Sequence, residues 1–189
     1  MTQTSPPTTQ APVVLHVGCG HKNPATLHST FKTGEWKEVR LDIEPSVEPH
    51  IVASITNMDR VPSASVDAVW SSHNLEHLWA HEVPLALAEF RRVLRPDGFL
   101  LLTLPDLTPV ARLVAAGKLE EPAYESPSGP ITPLDILYGH GPALANGHHY
   151  MAHKTGFTVG TLQAHLESAG FTTGEVWSEG FDLWAKVRA

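Results

Sequence analysis

The sequence predicts one α/β domain with a mainly parallel sheet covered by helices on both faces. Three observations lead to this fold class. Short apolar segments typical of buried strands alternate with helical segments along the chain, as in proteins built from β–α–β units. Two strand-like segments follow each other directly at the C-terminal end, which predicts an antiparallel pair there. The length of 189 residues suits a single core, and we find neither an internal repeat nor a dividing linker.

Four strands and one helix are predicted in the first part of the chain. Val13 to Cys19 is short, apolar and ended by a glycine loop, which is typical of a buried strand. Asn23 followed by Pro24 predicts the start of a short helix that runs to about Lys32. The next three strands are predicted in KEVRLDIEP (37–45), PHIVAS (49–54) and SVDAVWSSH (65–73).

The second part of the chain begins with a predicted helix over Glu76 to Leu94, in which Pro84 marks a kink or a second start. FLLLTLP then indicates a fifth strand, and residues 107–117 a helix. Residues 118–150 are rich in Pro, Gly and His without a clear period, and a segment of that length is usually functional or disordered. The remaining predictions are a helix from Thr158 to Ala169–Gly170 and the two closing strands FTTGEVWSEG and DLWAKVRA.

Composition and charge argue against several classes of protein. A net charge of −7 leaves no broad basic surface for nonspecific nucleic-acid binding. No apolar run approaches the roughly 20 residues of a membrane span. The single cysteine, Cys19, cannot form an internal disulfide, which predicts a cytoplasmic protein. Residues 1–12 are polar and proline-rich and lack the features of a secretory signal, so we predict a disordered tail before a domain over residues 13–189.

A candidate ligand site lies in the stretch VLHVGCGHKN (14–23). Gly18-Cys19-Gly20 joins the first strand to the first helix, where missing side chains let a ligand approach free backbone amides. Asp42 lies 22 residues after Gly20, at the end of the second strand, where a carboxylate can accept hydrogen bonds from both ribose hydroxyls. The two features together predict adenosine recognition. The dinucleotide fingerprint needs a third glycine where Asn23 stands, so a nicotinamide-dependent oxidoreductase is a disfavoured alternative.

Five segments, in this order and spacing, carry a family resemblance: LHVGCG, VRLDIEPSV, SVDAVWSSHNLEHL, FRRVLRPDGFLLLTLPDL and HKTGFTVGTLQAHLESAGF. Together they resemble the class I S-adenosylmethionine-dependent methyltransferases, in particular the short bacterial group called type 11, from Val13 to Ala189. The resemblance implies a Rossmann-like sheet of seven strands with an antiparallel C-terminal strand, and S-adenosylmethionine as cofactor. It implies methyl transfer to a small molecule or to a sugar-linked or lipid-linked acceptor. The alternative is a protein of the same fold that binds the cofactor or its demethylated product without catalysis.

The resemblance also implies roles for individual residues. The first loop would hold the methionine end of the cofactor, Asp42 the ribose, and Ile43 would lie against the adenine. The chain departs from the family at His16, where most members carry an acid that orients the methionine amine, and at Lys22, which replaces the third glycine of the loop. Ser54 stands where an acid near the adenine amino group is usual. The full set of implied cofactor contacts is His16, Gly18, Cys19, Gly20, Asp42, Ile43, Ser54, Ile55 and Ser72.

Two histidines are candidates for chemistry. His73 follows the fourth strand, on the edge that borders the transferred methyl in the resembled fold, so it is a candidate base or substrate contact; the alternative is a hydrogen bond that fixes the turn. In similar family members the HKTGF segment closes over the substrate, which makes His153 and Lys154 candidate acceptor contacts; the alternative is a turn that leads into the last helix. We therefore predict a lid over residues 118–156.

A metal site is the competing interpretation of these histidines. His73, His77 and His81 would line one face of a helix at metal-like spacing, but no glutamate-bearing zinc motif accompanies them. The sequence therefore predicts no metal. It leaves the oligomeric state and the acceptor atom open.

Overall fold

The computed structural model describes residues 11–189, so most of the predicted tail over residues 1–12 lies outside the described residues. Within residues 11–189 the chain forms nine strands and six α-helices. In chain order they are β1 Val13–Val17, α1 Ser29–Lys32, β2 Lys37–Asp42, β3 Ile51–Val52, β4 Val66–Ser72, α2 Val83–Val93, β5 Leu94–Pro105, α3 Leu107–Ala115, β6 Tyr124–Ser126, β7 Gly129–Ile131, α4 Pro133–Tyr138, α5 Gly141–Ala145, α6 Val159–Ser168, β8 Thr173–Glu179 and β9 Asp182–Arg188.

Seven of the strands form one sheet in the order β3-β2-β1-β4-β5-β9-β8. Strands β1 to β5 pair in parallel with one another, whereas β9 pairs antiparallel with both β5 and β8. This confirms the predicted Rossmann-like sheet and its antiparallel C-terminal strand. The strand order reverses between β1 and β4, and the crevice beyond the carboxyl ends of such strands is where parallel α/β sheets bind ligands.

Apolar side chains cover both faces of the sheet. On one face α2 and α6 pack Phe90 and Leu162, both fully buried, against the central strands. The smaller cluster on the other face includes Phe31 and Trp70. The indole of Trp184 is stacked with that of Trp70 at a centroid distance of 6.1 Å and with that of Trp177 at 6.2 Å. These three tryptophans therefore pack against one another across β4, β9 and β8.

Two helices differ from the sequence prediction. The helix predicted over Glu76 to Leu94 is a short 3₁₀ turn at Leu75–His77 followed by α2, which begins only at Val83. Proline lacks a backbone N–H and fits the first turn of a helix, so Pro84 sets the start of α2. The helix predicted from Asn23 is reduced to α1, because the Asn23 side chain accepts from the amide of Ala25 in a local turn.

The segment over residues 118–156 contains regular structure that its composition did not predict. It holds the β6–β7 hairpin, α4, α5 and a 3₁₀ turn at His149–Met151. A capping box between Thr132 and Asp135 starts α4. The ring of Tyr124 stacks on Phe181, at a centroid distance of 5.5 Å, and so contacts the loop between β8 and β9. No helix within residues 11–189 has the length and hydropathy needed to cross a lipid bilayer.

Candidate functional site

The loop after β1 is fixed by the carboxylate at the end of β2. Asp42 accepts a hydrogen bond from the amide of Gly20 at 2.8 Å through Oδ2, and from the amide of Glu44 at 2.9 Å through Oδ1. The amide of Cys19 donates to the carbonyl of Leu41 at 3.2 Å. The sequence therefore brings Asp42 and the glycine loop together as predicted. A carboxylate has about four acceptor positions, so both oxygens of Asp42 keep lone pairs for a further donor.

A buried arginine supports this loop and was not predicted from the sequence. Arg40 is 5% exposed, and its guanidinium donates to the carbonyl oxygens of Gly20, Val47 and Glu48. It therefore ties the first loop to the turn after β2. The only sequence signal was a charged residue inside an otherwise apolar strand, in VRLD.

The two loop glycines have the same backbone conformation but different surroundings. Gly18 has φ = 58° and Gly20 has φ = 59°, in the left-handed region that favours glycine. A Cβ atom on Gly18 would lie 1.6 Å from Oδ1 of Asn74, whereas one on Gly20 would meet no atom of residues 11–189 within 4 Å other than those of its two chain neighbours. Space for a ligand therefore lies in front of Gly20, while Gly18 makes room for Asn74.

Asn74 joins the ends of the two central strands. Its Nδ2 lies 3.1 Å from each of three acceptors, the carbonyl of Val17 in β1 and Oγ of Ser71 and the carbonyl of Ser72 in β4. This contact holds the turn after β4 next to the glycine loop.

The predicted cofactor contacts at His16 and Cys19 have buried side chains. His16 is 2% exposed, and its Nδ1 lies 2.8 Å from Oε1 of Glu38. Burial lowers the pKa of this imidazole, against the opposing effect of Glu38. Burial raises the pKa of the Cys19 thiol to about 11. Cys19 can therefore offer a ligand its backbone but not a reactive thiolate.

The remaining predicted contacts lie around the same edge of the sheet. Ile43 follows Asp42 and is 48% exposed, which leaves an apolar side chain free beside the carboxylate. The Ser54 hydroxyl is 2.7 Å from that of Thr56. Ile55 packs against the larger core. Ser72 contributes its carbonyl to Asn74.

His73 stands at the carboxyl end of β4 with φ = 53°. Its amide donates to the carbonyl of Thr103, its Nδ1 lies 3.2 Å from Oε1 of Glu76, and its Nε2 lies 3.8 Å from Oδ1 of Asp182. Burial alone would lower the pKa of this imidazole, but the two carboxylates outweigh it and the pKa of His73 is raised. Burial alone would raise the pKa of Glu76, but His73 and His77 outweigh it and that pKa is lowered. Glu76 therefore lies where its carboxylate stabilises a positive charge on His73 when that imidazole takes up a proton.

A cavity of about 150 Å³ opens beside His73. Its wall combines the turn after β4, the segment over residues 118–156 and the loop after β8. The lining residues are His73, Glu76, His77, Pro105, Tyr124, Ile131, Asp135, Ile136, His140, Met151, His153, Phe181 and Asp182.

The other histidine candidates and Lys154 lie at different places in the structure. His77 lines this cavity whereas His81 is exposed in the stretch before α2, so His73, His77 and His81 do not share a helix face as the spacing suggested. His153 lines the cavity. Lys154 is exposed, and its Nζ lies 5.6 Å from the centre of the Trp79 ring.

The residues at the β1–β2 edge fit an adenosine cofactor. The space in front of Gly20 is open and would be occupied by a side chain at any residue other than glycine. The Asp42 carboxylate beside it has lone pairs for two hydroxyl donors. Exposed Ile43 offers an apolar surface of the kind that packs against a base.

Comparison with known proteins agrees with this fold. Residues 15–102 match the family model described as methyltransferase domain. A search of curated protein sequences gives no significant match.

Solved structures with the same fold include an S-adenosylmethionine-dependent methyltransferase from Archaeoglobus fulgidus, at 16% identity and a TM-score of 0.62, covering 95% of this chain and 86% of that one. A second from Mesorhizobium loti has 17% identity, a TM-score of 0.60, and coverage of 97% and 93%. The 1,6-didemethyltoxoflavin-N1-methyltransferase of Burkholderia thailandensis, with bound 1,6-didemethyltoxoflavin and S-adenosylhomocysteine, has 16% identity, a TM-score of 0.56, and coverage of 95% and 71%. The residues that match the family model contain the glycine loop, Asp42 and the turn after β4, and the sheet of this chain is similar to that of these solved S-adenosylmethionine-dependent methyltransferases.

Proposed function

We propose that the protein transfers the methyl group of S-adenosylmethionine to a small-molecule acceptor that binds in the cavity beside His73. One observation carries this proposal. Asn74 hydrogen-bonds to the ends of both β1 and β4, so the cavity and the glycine loop lie on adjacent strands at the same edge of the sheet. An acceptor in the cavity would thus lie next to a cofactor on the loop.

The cofactor would be held by residues of the first two strands. Asp42 would accept hydrogen bonds from the ribose hydroxyls, the backbone around Gly20 would contact the methionine portion, and Ile43 would cover one side of the adenine. The bound cofactor supplies an electrophilic methyl group on its sulfonium sulfur. The protein's task is then to align the acceptor and keep water away.

His73 would act on an acceptor whose reacting atom carries a proton. Its Nδ1 faces the Glu76 carboxylate, which favours the tautomer with the lone pair on Nε2. In that tautomer Nε2 can take a proton from the acceptor, and the nearby carboxylates stabilise the imidazolium that forms. Glu76 is the positioning residue in this arrangement. His153, on the opposite wall, would contact the acceptor.

The size of the cavity supports a small acceptor. A volume of about 150 Å³ suits a compact molecule or the reacting end of a larger one. The 1,6-didemethyltoxoflavin-N1-methyltransferase of Burkholderia thailandensis, which has the same fold, is crystallised with 1,6-didemethyltoxoflavin and S-adenosylhomocysteine. A sugar-linked or lipid-linked acceptor would reach the cavity with its terminal group only.

The test combines binding and turnover. We expect calorimetry to show binding of S-adenosylhomocysteine, and mass spectrometry to show methyl transfer to at least one member of a panel of phenols, alcohols, nitrogen heterocycles, thiols and sugars. Asparagine tolerates a positive φ, so His73→Asn keeps the turn while removing the base. With a protonated acceptor this variant should lower kcat by about 10²–10⁴-fold with cofactor affinity unchanged. The matched control, His81→Asn, changes an exposed histidine outside the cavity.

Three results would contradict parts of the proposal. Absence of S-adenosylhomocysteine binding would overturn the cofactor site. Binding without transfer to any acceptor in the panel would favour a protein that holds the cofactor without catalysis. An unchanged kcat in His73→Asn would remove His73 from the chemistry.

A further inference from the structure

Three side chains of metal-ligating type meet in the cavity from distant parts of the chain. Glu76 and His77 belong to the 3₁₀ turn after β4, and His153 belongs to the stretch before α6. One ligand atom of each lies within 4.8 Å of the other two. The rings of His77 and His153 have a centroid distance of 5.0 Å. The grouping is tertiary, since the two parts of the chain are more than 70 residues apart.

Both imidazoles are oriented by backbone carbonyls. Nδ1 of His77 lies 3.2 Å from the carbonyl oxygen of Ala152, and Nδ1 of His153 lies 2.8 Å from that of Ile136. A carbonyl oxygen only accepts hydrogen bonds, so the proton of each ring is on Nδ1 and the lone pair is on Nε2. A histidine that donates one ring N–H to a carbonyl and offers the other nitrogen has the arrangement typical of a metal ligand.

The third member of the group is a buried carboxylate that lacks a hydrogen-bond partner. Glu76 is 1% exposed, and neither of its oxygens accepts a hydrogen bond from any group in the described part of the chain. His73 Nδ1 approaches Oε1 to 3.2 Å, an ion-pair distance, but outside hydrogen-bond geometry. A buried carboxylate without hydrogen bonds is costly, and a metal ion is one of the few partners that offset this cost.

We propose that Glu76, His77 and His153 form a binding site for a divalent transition metal ion. Two imidazoles and one carboxylate are the protein ligands of several three-ligand zinc sites, in which the fourth position is open. The same set also suits iron(II), whereas Mg²⁺ and Ca²⁺ prefer all-oxygen sites. Metal–ligand bonds of about 2.1 Å place tetrahedral ligand atoms about 3.4 Å apart, so small side-chain rotations would close the group around an ion.

This site goes beyond methyl transfer, because metal binding requires neither the cofactor nor an acceptor. It also differs from the histidine set that the sequence suggested, since only His77 is common to both. All three ligands line the cavity, so the open coordination position would face the space beside His73.

The experiment titrates the metal-stripped full-length protein with Zn²⁺ by calorimetry and with Co²⁺ by visible absorption. We expect one equivalent of either metal to bind, and Mg²⁺ to give no saturable heat. Even loss of an outer partner of a metal ligand lowers affinity about 10–100-fold, so His153→Ala and Glu76→Gln should each weaken Zn²⁺ binding by about 100-fold or more. His81→Ala, which changes an exposed histidine in the same stretch, should bind Zn²⁺ like the wild type.

Glu76→Gln keeps the volume of the side chain and removes a buried carboxylate charge that accepts no hydrogen bond within residues 11–189, so it tests the site even if His153→Ala does not fold. Absence of saturable Zn²⁺ and Co²⁺ binding in the wild type would overturn the proposal, and so would wild-type affinity in both ligand variants. S-adenosylhomocysteine binding, measured in the presence of a chelator, separates failure of this site from failure of the cofactor site.

Discussion

Alanine substitution of the two loop glycines separates a structural role from a ligand-binding role. Gly18 and Gly20 share a φ close to +59°, so alanine introduces the same backbone strain at both positions, about 1–2 kcal/mol. Only at Gly18 does the new Cβ overlap another side chain, at 1.6 Å from Oδ1 of Asn74. That difference predicts opposite outcomes for the two variants.

The expected magnitudes come from the contacts of Asn74. Displacing its side chain breaks the hydrogen bonds from Nδ2 that link β1 to β4, at about 1 kcal/mol each, and the two protons of Nδ2 limit this to about two bonds. Gly18→Ala should therefore destabilise the fold by about 3–4 kcal/mol, and Gly20→Ala by about 1–2 kcal/mol. For a chain of this size the difference corresponds to a Tm gap of roughly 4–8 °C.

Urea unfolding gives the two stabilities, and calorimetry with S-adenosylhomocysteine gives the two affinities. Gly20→Ala should weaken binding by about tenfold or more, because its methyl group occupies the opening in front of the loop. Equal destabilisation by the two substitutions would refute the assigned role of Asn74. Wild-type affinity in Gly20→Ala would show that the opening is not the cofactor site.

Three further predictions concern the same region and the segment over residues 118–156. Asp42→Ala should weaken S-adenosylhomocysteine binding at least tenfold, since charged hydrogen bonds contribute about 1.5–3 kcal/mol each. The control is Asp59→Ala, which changes an exposed carboxylate. Unchanged affinity of Asp42→Ala by calorimetry would remove Asp42 from the site. The pKa of the Cys19 thiol is about 11 in the folded protein and 9.0 in the unfolded chain. The unfolded chain therefore loses this proton at lower pH, so the free energy of unfolding falls as the pH rises above 9. Relative to Cys19→Ala, the wild type should lose about 1.4 kcal/mol by pH 10 in urea titrations, and parallel pH curves would contradict this. Hydrogen exchange over residues 118–156 should slow most with cofactor and acceptor together; protection of the ligand-free segment equal to that of Phe99–Leu104 would argue against a lid.

Most of the fold could be predicted because its signals are local. Short runs ended by glycine or by an acid give β1 and β2, the apolar run before His73 gives β4, and Thr158 gives the start of α6. The prediction of a helix over Glu76 to Leu94, with a kink or a second start at Pro84, was right from Val83 onward and wrong before it, where the structure has a 3₁₀ turn at Leu75–His77. The secondary structure within residues 118–156 was missed because its helices and strands are too short to show a period.

Part of the candidate site was also readable from the sequence. Gly20 and Asp42 lie at the ends of adjacent parallel strands, and the carboxyl ends of such strands meet at one edge of a sheet, so spacing alone brings them together. His73 could be placed at the same edge for the same reason. These positions depend on strand order and not on side-chain packing.

The tertiary structure alone decided which side chains meet across the fold. Gly18 accommodates Asn74, which bonds to a carbonyl 57 positions earlier, and Arg40 turns a strand position into a support for the first loop. His77 and His153 come together over a similar sequence distance, next to a carboxylate that the fold buries without a hydrogen-bond partner among residues 11–189. Periodicity and spacing report only on neighbours along one element, because a side chain's partner across the sheet depends on how the elements pack. The sequence therefore determined the sheet and the edge that carries the candidate site. The packing of the elements determined which side chains meet beside that edge.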